Sequence, residues 1–205
     1  GISFFDLQKE KWTKLPPRPN NGGGMSIEYF GSMDGLLHHN AKPGLFNNKL
    51  QKWEELAACP VDGYHSISRH NPFRNEVLMT GGNNNPQVMA RLKKDGKIER
   101  LKDVPIKLTV RHDKISIDPA TGRYLIFADN NYEFDSDKNE YRQFITTFPY
   151  TKYSMPVCAF IPEYGVVMWA EGKGVFLYKH DASATTAITE NQKAKKTEAK
   201  VEGSK

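Results

Sequence analysis

Cysteine is scarce. Cys59 and Cys158 are the only two in 205 residues, and they stand far apart in the chain. A pair cannot make the disulfide framework of a small stapled domain. It leaves one long-range disulfide or two buried thiols, and two small buried hydrophobes is the plainer reading. Long apolar runs are missing as well. No stretch approaches the roughly 18 consecutive apolar residues of a membrane-crossing helix, so no membrane span is expected. Lys and Arg outnumber Asp and Glu by 29 to 24, yet no basic stripe forms. Part of the surplus sits in "ENQKAKKTEAKVEGSK", residues 190–205, and the rest is scattered among acids. A nucleic-acid binder gathers its cations, with aromatics between them, so no nucleic-acid partner is expected. The chain opens on "GISFFDLQ", with neither Met nor an apolar leader, which leaves the compartment open.

Several chemistries are excluded by what their motifs lack. There is no Gly-x-Ser-x-Gly, and neither cysteine sits in a catalytic context. "GGNNNPQ", residues 81–87, has no following lysine or helix to make a phosphate cradle, so it reads as a loop between strands. "DSDKNE", residues 135–140, lacks the glycine and terminal glutamate of a calcium loop and reads as a turn. "NNGGGMS", residues 20–26, reads as a flexible lead into a strand. His38 and His39 are neighbours on a strand, so they face opposite ways and do not ligate one metal together. Amphipathic helical periodicity is absent before residue 180.

What is present is a repeat. Pro16, Pro60, Pro105 and Pro149 close successive segments ("KWTKLPP", "KWEELAACP", "KIERLKDVP", "EYRQFITTFP") at intervals of 44, 45 and 44 residues. Trp12, Trp53, Ile98 and Tyr141 hold the large apolar position ahead of each proline. Upstream, "HNPFRNEVLMTGG", "IDPATGRYLIFAD" and "FIPEYGVVMWAEG" share a proline-led turn followed by an apolar run. "YFGSMDGLLHHNA" keeps the turn glycine, Gly35, without the proline. Each module reads as four strands: "HSISR" or "HDKISI", then "EVLMTG" or "RYLIFA", then "QVMARLK" or "NYEFDS", then "KIERL" or "EYRQFI". The second strand is apolar on both faces, as a strand between stacked sheets should be. Four antiparallel strands in about 44 residues is the size of one β-propeller blade, which must stack on neighbours to bury its faces. A β-sandwich does not require one turn and one closing aromatic at a fixed interval.

The expected fold is therefore all-β: a β-propeller of about four blade-equivalents of four antiparallel strands, partial or open. Its modules span about 1–16, 25–60, 64–105, 111–149 and 155–180, followed by a disordered tail at 181–205. The N-terminus supplies strands three and four, and the C-terminus strands one to three. That count does not close neatly, so completion by another segment or chain is expected, as exposed edges invite it.

Gly81-Gly82 after an apolar strand, "YEFDSDKNEYRQF", "FDLQKEKWTKLPP" and "FNNKLQKWEELAACP" resemble the kelch and galactose-oxidase-like propeller family over residues 2 to about 180. The double glycine occurs once; Ala128-Asp129 and Ala170-Glu171 stand elsewhere. The resemblance implies a binding module contacting a protein or carbohydrate through its loops and channel face. The alternative it implies is a carbohydrate-active or oxidoreductase domain. It also slightly favours a secreted or periplasmic setting. The copper centre and tyrosine–cysteine cross-link of galactose oxidase cannot be placed on this chain, so that activity does not carry over.

The candidate site residues lie at the start of strand one. Met25, His65, His112 and Met155 form one column, ten residues before the turn-glycine position. Two histidines and two methionines are a soft donor set suited to copper. The plainer reading is packing around the channel mouth, and no cofactor is expected. His112 adjoins Asp113, but neighbours on a strand point apart, so they make a poor base–orienter pair. Tyr64, His65, Arg69, Arg111 and His112 are the ligand-binding candidates, for an anionic or sugar ligand, with His65 and His112 the only metal candidates.

Overall fold

The computed structural model describes residues 2–18, 26–108, 114–128, 130–145, 157–171 and 174–187. The chain divides into two compact units, Gly1–Val110 and Arg111–Lys205. Every described element of any length is a strand, and the three helical pieces are single 3-10 turns.

The first unit opens with the hairpin β1 (Ser3–Asp6) and β2 (Lys11–Lys14). Two four-stranded antiparallel sheets follow. One is β3 (Ile27–Phe30), β4 (Gly35–His38), β5 (Gly44–Asn47) and β6 (Lys52–Glu55) in sequence order. The other is β7 (Ser66–Asn71), β8 (Glu76–Gly81), β9 (Met89–Lys93) and β10 (Ile98–Leu101). The second strand β8 is buried along its whole length, because sheet surfaces press on both of its faces. First strands meet first strands: Ser68 Oγ donates to Ser26 Oγ at 2.7 Å, and His70 N donates to Glu28 Oε1 at 2.9 Å. The two sheets bury Phe30, Leu37, Leu45, Val77, Met79 and Leu92 in one core cluster. Each such side chain contributes about 1.5–3 kcal/mol on leaving water, which is why neither sheet can stand alone.

The second unit repeats the plan. One sheet is β11 (Lys114–Ile117), β12 (Tyr124–Phe127), β13 (Asn131–Asp135) and β14 (Glu140–Phe144). The next is β15 (Val157–Ile161), β16 (Val166–Glu171) and β17 (Gly174–Tyr178). Leu125, Phe127, Phe144, Val167 and Trp169 join these two sheets in one core, with Trp169 edge-on to Phe127 at 5.3 Å between centroids.

The modules share backbone geometry more faithfully than sequence. Glu10, Gln51, Gly96 and Asn139 all have positive φ (50°, 54°, 81°, 56°) at the turn joining strands three and four. Just ahead, the carboxyl or amide of Asp6, Asn47 and Asp135 accepts backbone N–H bonds from inside the turn. The turn joining strands one and two places Asp34, Asn75, Gly122 and Gly165 in the left-handed region. The conformation expected at Gly35 therefore belongs to Asp34, one residue earlier. "DSDKNE" is a turn, as the sequence suggested.

The C-terminal expectation needs correction. Residues 181–187 are structured: a 3-10 turn at Ala182–Ala184 leads to β18 (Thr186–Ala187), which pairs with β14 as a fifth strand. His180 anchors it. Its Nε2 lies 2.8 Å from Glu133 Oε2, and Tyr178 OH lies 3.0 Å from its Nδ1. Glu133 and β14 are distant in sequence from this segment, which is why composition alone misplaced the boundary. Residues 188–205 lie outside the described residues.

Candidate functional site

Two loops at one end of the β7–β10 sheet interlock. One, Val61–His65, leads into β7; the other, Gly82–Val88, leaves β8. Asn83 N donates to Tyr64 O at 2.9 Å, and Asp62 Oδ2 accepts from Asn84 Nδ2 at 3.2 Å. The fit depends on glycine. A Cβ on Gly82 (φ 88°) would sit 2.4 Å from Asp62 O, and one on Gly63 (φ 108°) 2.9 Å from Asn84 N. The second loop is also held from behind, where Leu108 N donates to Pro86 O and Val104 N to Gln87 O, both at 2.8 Å.

This frame presents side chains outward. Tyr64 is 55% exposed, and its ring lies 3.9 Å from that of His65, centroid to centroid. His65 adopts φ 71°, a conformation uncommon for a non-glycine residue, and its Nδ1 lies 3.2 Å from Asn83 Oδ1. An aromatic face beside a carboxylate, two amides and an imidazole can stack on an apolar ring face and hydrogen-bond the hydroxyls around it. The sequence reading of residues 81–87 as a loop holds from Gly82 onward, Gly81 being the last residue of β8, but it gave no sign that Asn83 and Asn84 join the site. The double glycine Gly81-Gly82 was the available signal, since two positive-φ positions mark a close backbone approach.

Arg69 stands apart from this cluster. It lies mid-strand on β7, paired in register with Leu78, beside the Glu28 carboxylate. Burial raises the Glu28 pKa, while the His70 N–H and Arg69 pull it back. Arg111, His112, Asp113, Met25 and Met155 lie outside the described residues. Among the described residues, no group of three or more His, Cys, Asp or Glu side chains gathers where a metal could sit.

Two buried clusters complete the chemistry. His38 and His39 do point to different partners, as their strand position required. His38 Nδ1 meets Arg18 Nη1, and the Arg18 guanidinium also reaches Asn40 Oδ1 (3.1 Å) and Lys42 O. His39 lies inside, with Nδ1 3.4 Å from Ser26 Oγ and Nε2 3.9 Å from Cys59 Sγ. Burial pushes both histidines down to about 4, so both are neutral at pH 7. Burial lifts the Cys59 thiol to about 11, which makes it a resting thiol and not a nucleophile. Cys59 and Cys158 are both buried thiols, not a disulfide. In the second unit Glu133, His180, Arg123 and Asp135 form a buried ionic network. Burial alone would raise the Glu133 carboxyl, but His180 and Arg123 outweigh it and hold it below its usual range. No described helix is long and apolar enough to cross a membrane.

Four-stranded antiparallel sheets packed first strand against first strand within each unit are the building plan of a β-propeller, and the comparisons agree. No family model and no curated protein matches the chain. Solved structures do match. Selenomethionine-substituted virginiamycin B lyase from Staphylococcus aureus gives a TM-score of 0.57 at 14% identity, covering 86% of this chain and 62% of that one. A catalytically inactive histidine-to-alanine variant of that lyase, with quinupristin, gives 0.59 at 14% identity, covering 88% and 63%. This chain thus spans a little under two thirds of the lyase's length. The fold is all-β and propeller-type, and the separate sheets are consistent with a partial or open array.

Proposed function

We propose that the chain is part of a ligand-binding propeller that takes a neutral, hydroxyl-rich ligand of carbohydrate type on the Asp62–His65 and Gly82–Asn85 loops. The observation that carries this reading is the exposed Tyr64 ring held against His65 and flanked by Asp62, Asn83 and Asn84. Arg111 and His112 hold the corresponding sequence positions in the next module, and they remain candidates from the sequence alone. A kelch-type affiliation, which Gly81-Gly82 supports, and completion of the array by another segment or chain belong to this proposal. A screen of neutral oligosaccharides by calorimetry tests it. Tyr64→Ala should weaken the best ligand about tenfold, the loss of roughly 1.4 kcal/mol of stacking. Failure of every oligosaccharide, or binding indifferent to Tyr64→Ala and Asn83→Ala, contradicts it.

A second reading is an enzyme of lyase type, supported by the likeness to virginiamycin B lyase. Incubation with quinupristin, followed by mass spectrometry, separates the two. A new product that vanishes with His65→Ala or His112→Ala favours the enzyme, and unchanged substrate favours the binding module.

A further inference from the structure

Three soft donors from three separate stretches converge inside the first unit. His39 directly follows β4, Cys59 follows β6, and Met79 lies at the centre of β8; they are 0%, 6% and 0% exposed. Cys59 Sγ is the hub, 3.9 Å from His39 Nε2 and 3.9 Å from Met79 Sδ. Each donor is fixed by the fold. His39 N donates to Ser26 O and Cys59 N to Ala41 O, both at 3.0 Å, while Met79 is locked in the β7–β8–β9 ladder. Ser26 Oγ already accepts a hydrogen bond from Ser68 Oγ and has a second lone pair for His39 Nδ1–H. In the tautomer protonated at Nδ1, Nε2 keeps its lone pair toward Cys59 Sγ, as an outer hydrogen bond orients a ligating histidine; the ring is also steered by a backbone hydrogen bond at Val61.

We propose that His39, Cys59 and Met79 bind a single soft monovalent cation, Cu(I) in particular, in a three-coordinate site. This does not rest on the ligand reading above. Three donors about 2.2–2.3 Å from one ion in a trigonal plane lie about 3.8–4.0 Å from one another, the separation seen at the Cys59 hub. Thiolate, thioether and imidazole are the donors that select Cu(I). No carboxylate joins them, so magnesium and calcium are disfavoured. A monovalent ion on one thiolate is neutral at the donor set, and the nearby Asp62 charge, felt by both His39 and Cys59, further favours a cation there. On binding, the Cys59 S–H bond breaks, an S–Cu(I) bond forms, and the proton leaves to solvent, with no change of oxidation state. Cys59 alone of the three keeps slight exposure.

The test titrates the full reduced chain anaerobically with Cu(I), supplied as its acetonitrile complex, against the chelator bicinchoninate. The expected result is one Cu(I) per chain, one proton released, a near-ultraviolet thiolate-to-copper band, and an X-ray absorption edge fitted by two sulfurs and one nitrogen. Met79→Leu conserves volume and should fold, yet weaken binding at least tenfold. Cys59→Ser should abolish it, while Cys158→Ser, at the other buried thiol, should leave it unchanged. Binding indifferent to Met79→Leu, loss of copper on Cys158→Ser, no competition with the chelator, or a preference for Zn(II) would each overturn the proposal.

Discussion

Acid should weaken the first unit through His39, by an amount the structure sets. The ring is fully buried, and its pKa falls from 6.5 to about 4, chiefly because burial penalises the cation, with a smaller contribution from His38. Below pH 6.5 the unfolded chain therefore takes up a proton that the folded chain refuses. Stability rises with pH wherever the unfolded state binds more protons, so this contribution is intact above about pH 6.5 and is lost between 6.5 and about 4. At pH 5 the loss amounts to about 2 kcal/mol, and across the whole window to about 3 kcal/mol. His39→Asn keeps a polar atom toward Ser26 and does not titrate. Urea unfolding of metal-free protein at pH 7.5 and pH 5 should show a wild-type drop that exceeds the variant's by about 2 kcal/mol. His38 titrates in the same window in both proteins, so its own contribution largely cancels in the difference, leaving the His39 effect and the smaller His38–His39 coupling. Equal drops in the two proteins, or a wild type that gains stability on acidification, would refute the reasoning.

Other consequences are equally open to measurement. Glu133→Gln removes the anion between His180 and Arg123 and should cost about 3 kcal/mol, with early loss of amide protection in β18 on hydrogen exchange. Because the folded Glu133 pKa lies below 4.5, the wild-type contribution is complete above that pH and disappears as pH falls through the folded value; the variant should lack this acid step. Gly82→Ala forces a Cβ against Asp62 O at positive φ and should destabilise by about 1–3 kcal/mol in thermal melts, while abolishing any ligand binding at the loops. Trp53→Phe deletes the 2.9 Å bond from Nε1 to Pro16 O and should cost about 1 kcal/mol in the same melts.

Strands were legible where side-chain pattern and backbone geometry coincide. "EVLMTG" became β8, Glu76–Gly81, because a strand covered on both faces carries a continuous apolar run, here Val77, Leu78 and Met79. The recurring left-handed turn was hidden, because Glu10, Gln51 and Asn139 adopt at modest cost a conformation that Gly96 adopts freely, so the shape repeats while the residue does not. The site was half visible. Tyr64 and His65 stood out as chemistry at the start of a strand, but their partner Asn83, and Asn84 on Asp62, arrive across a strand pair that local reading cannot join. Arg69 was grouped with them by proximity in sequence, whereas its charge partner Glu28 comes from the neighbouring sheet. Cys59 was correctly read as a buried thiol, yet its approach to His39 and Met79 depends on the stacking of two sheets.

That stacking can be tested by cross-linking. Ser26, immediately before β3, and Ser68, on β7, have hydroxyl oxygens 2.7 Å apart, close enough for sulfurs in their place to bond. The double substitution Ser26→Cys with Ser68→Cys should oxidise to a disulfide joining these two positions, mapped by mass spectrometry of proteolytic fragments. Thiols that stay reduced, or pair only with Cys59 or Cys158, would contradict the adjacency of the two sheets.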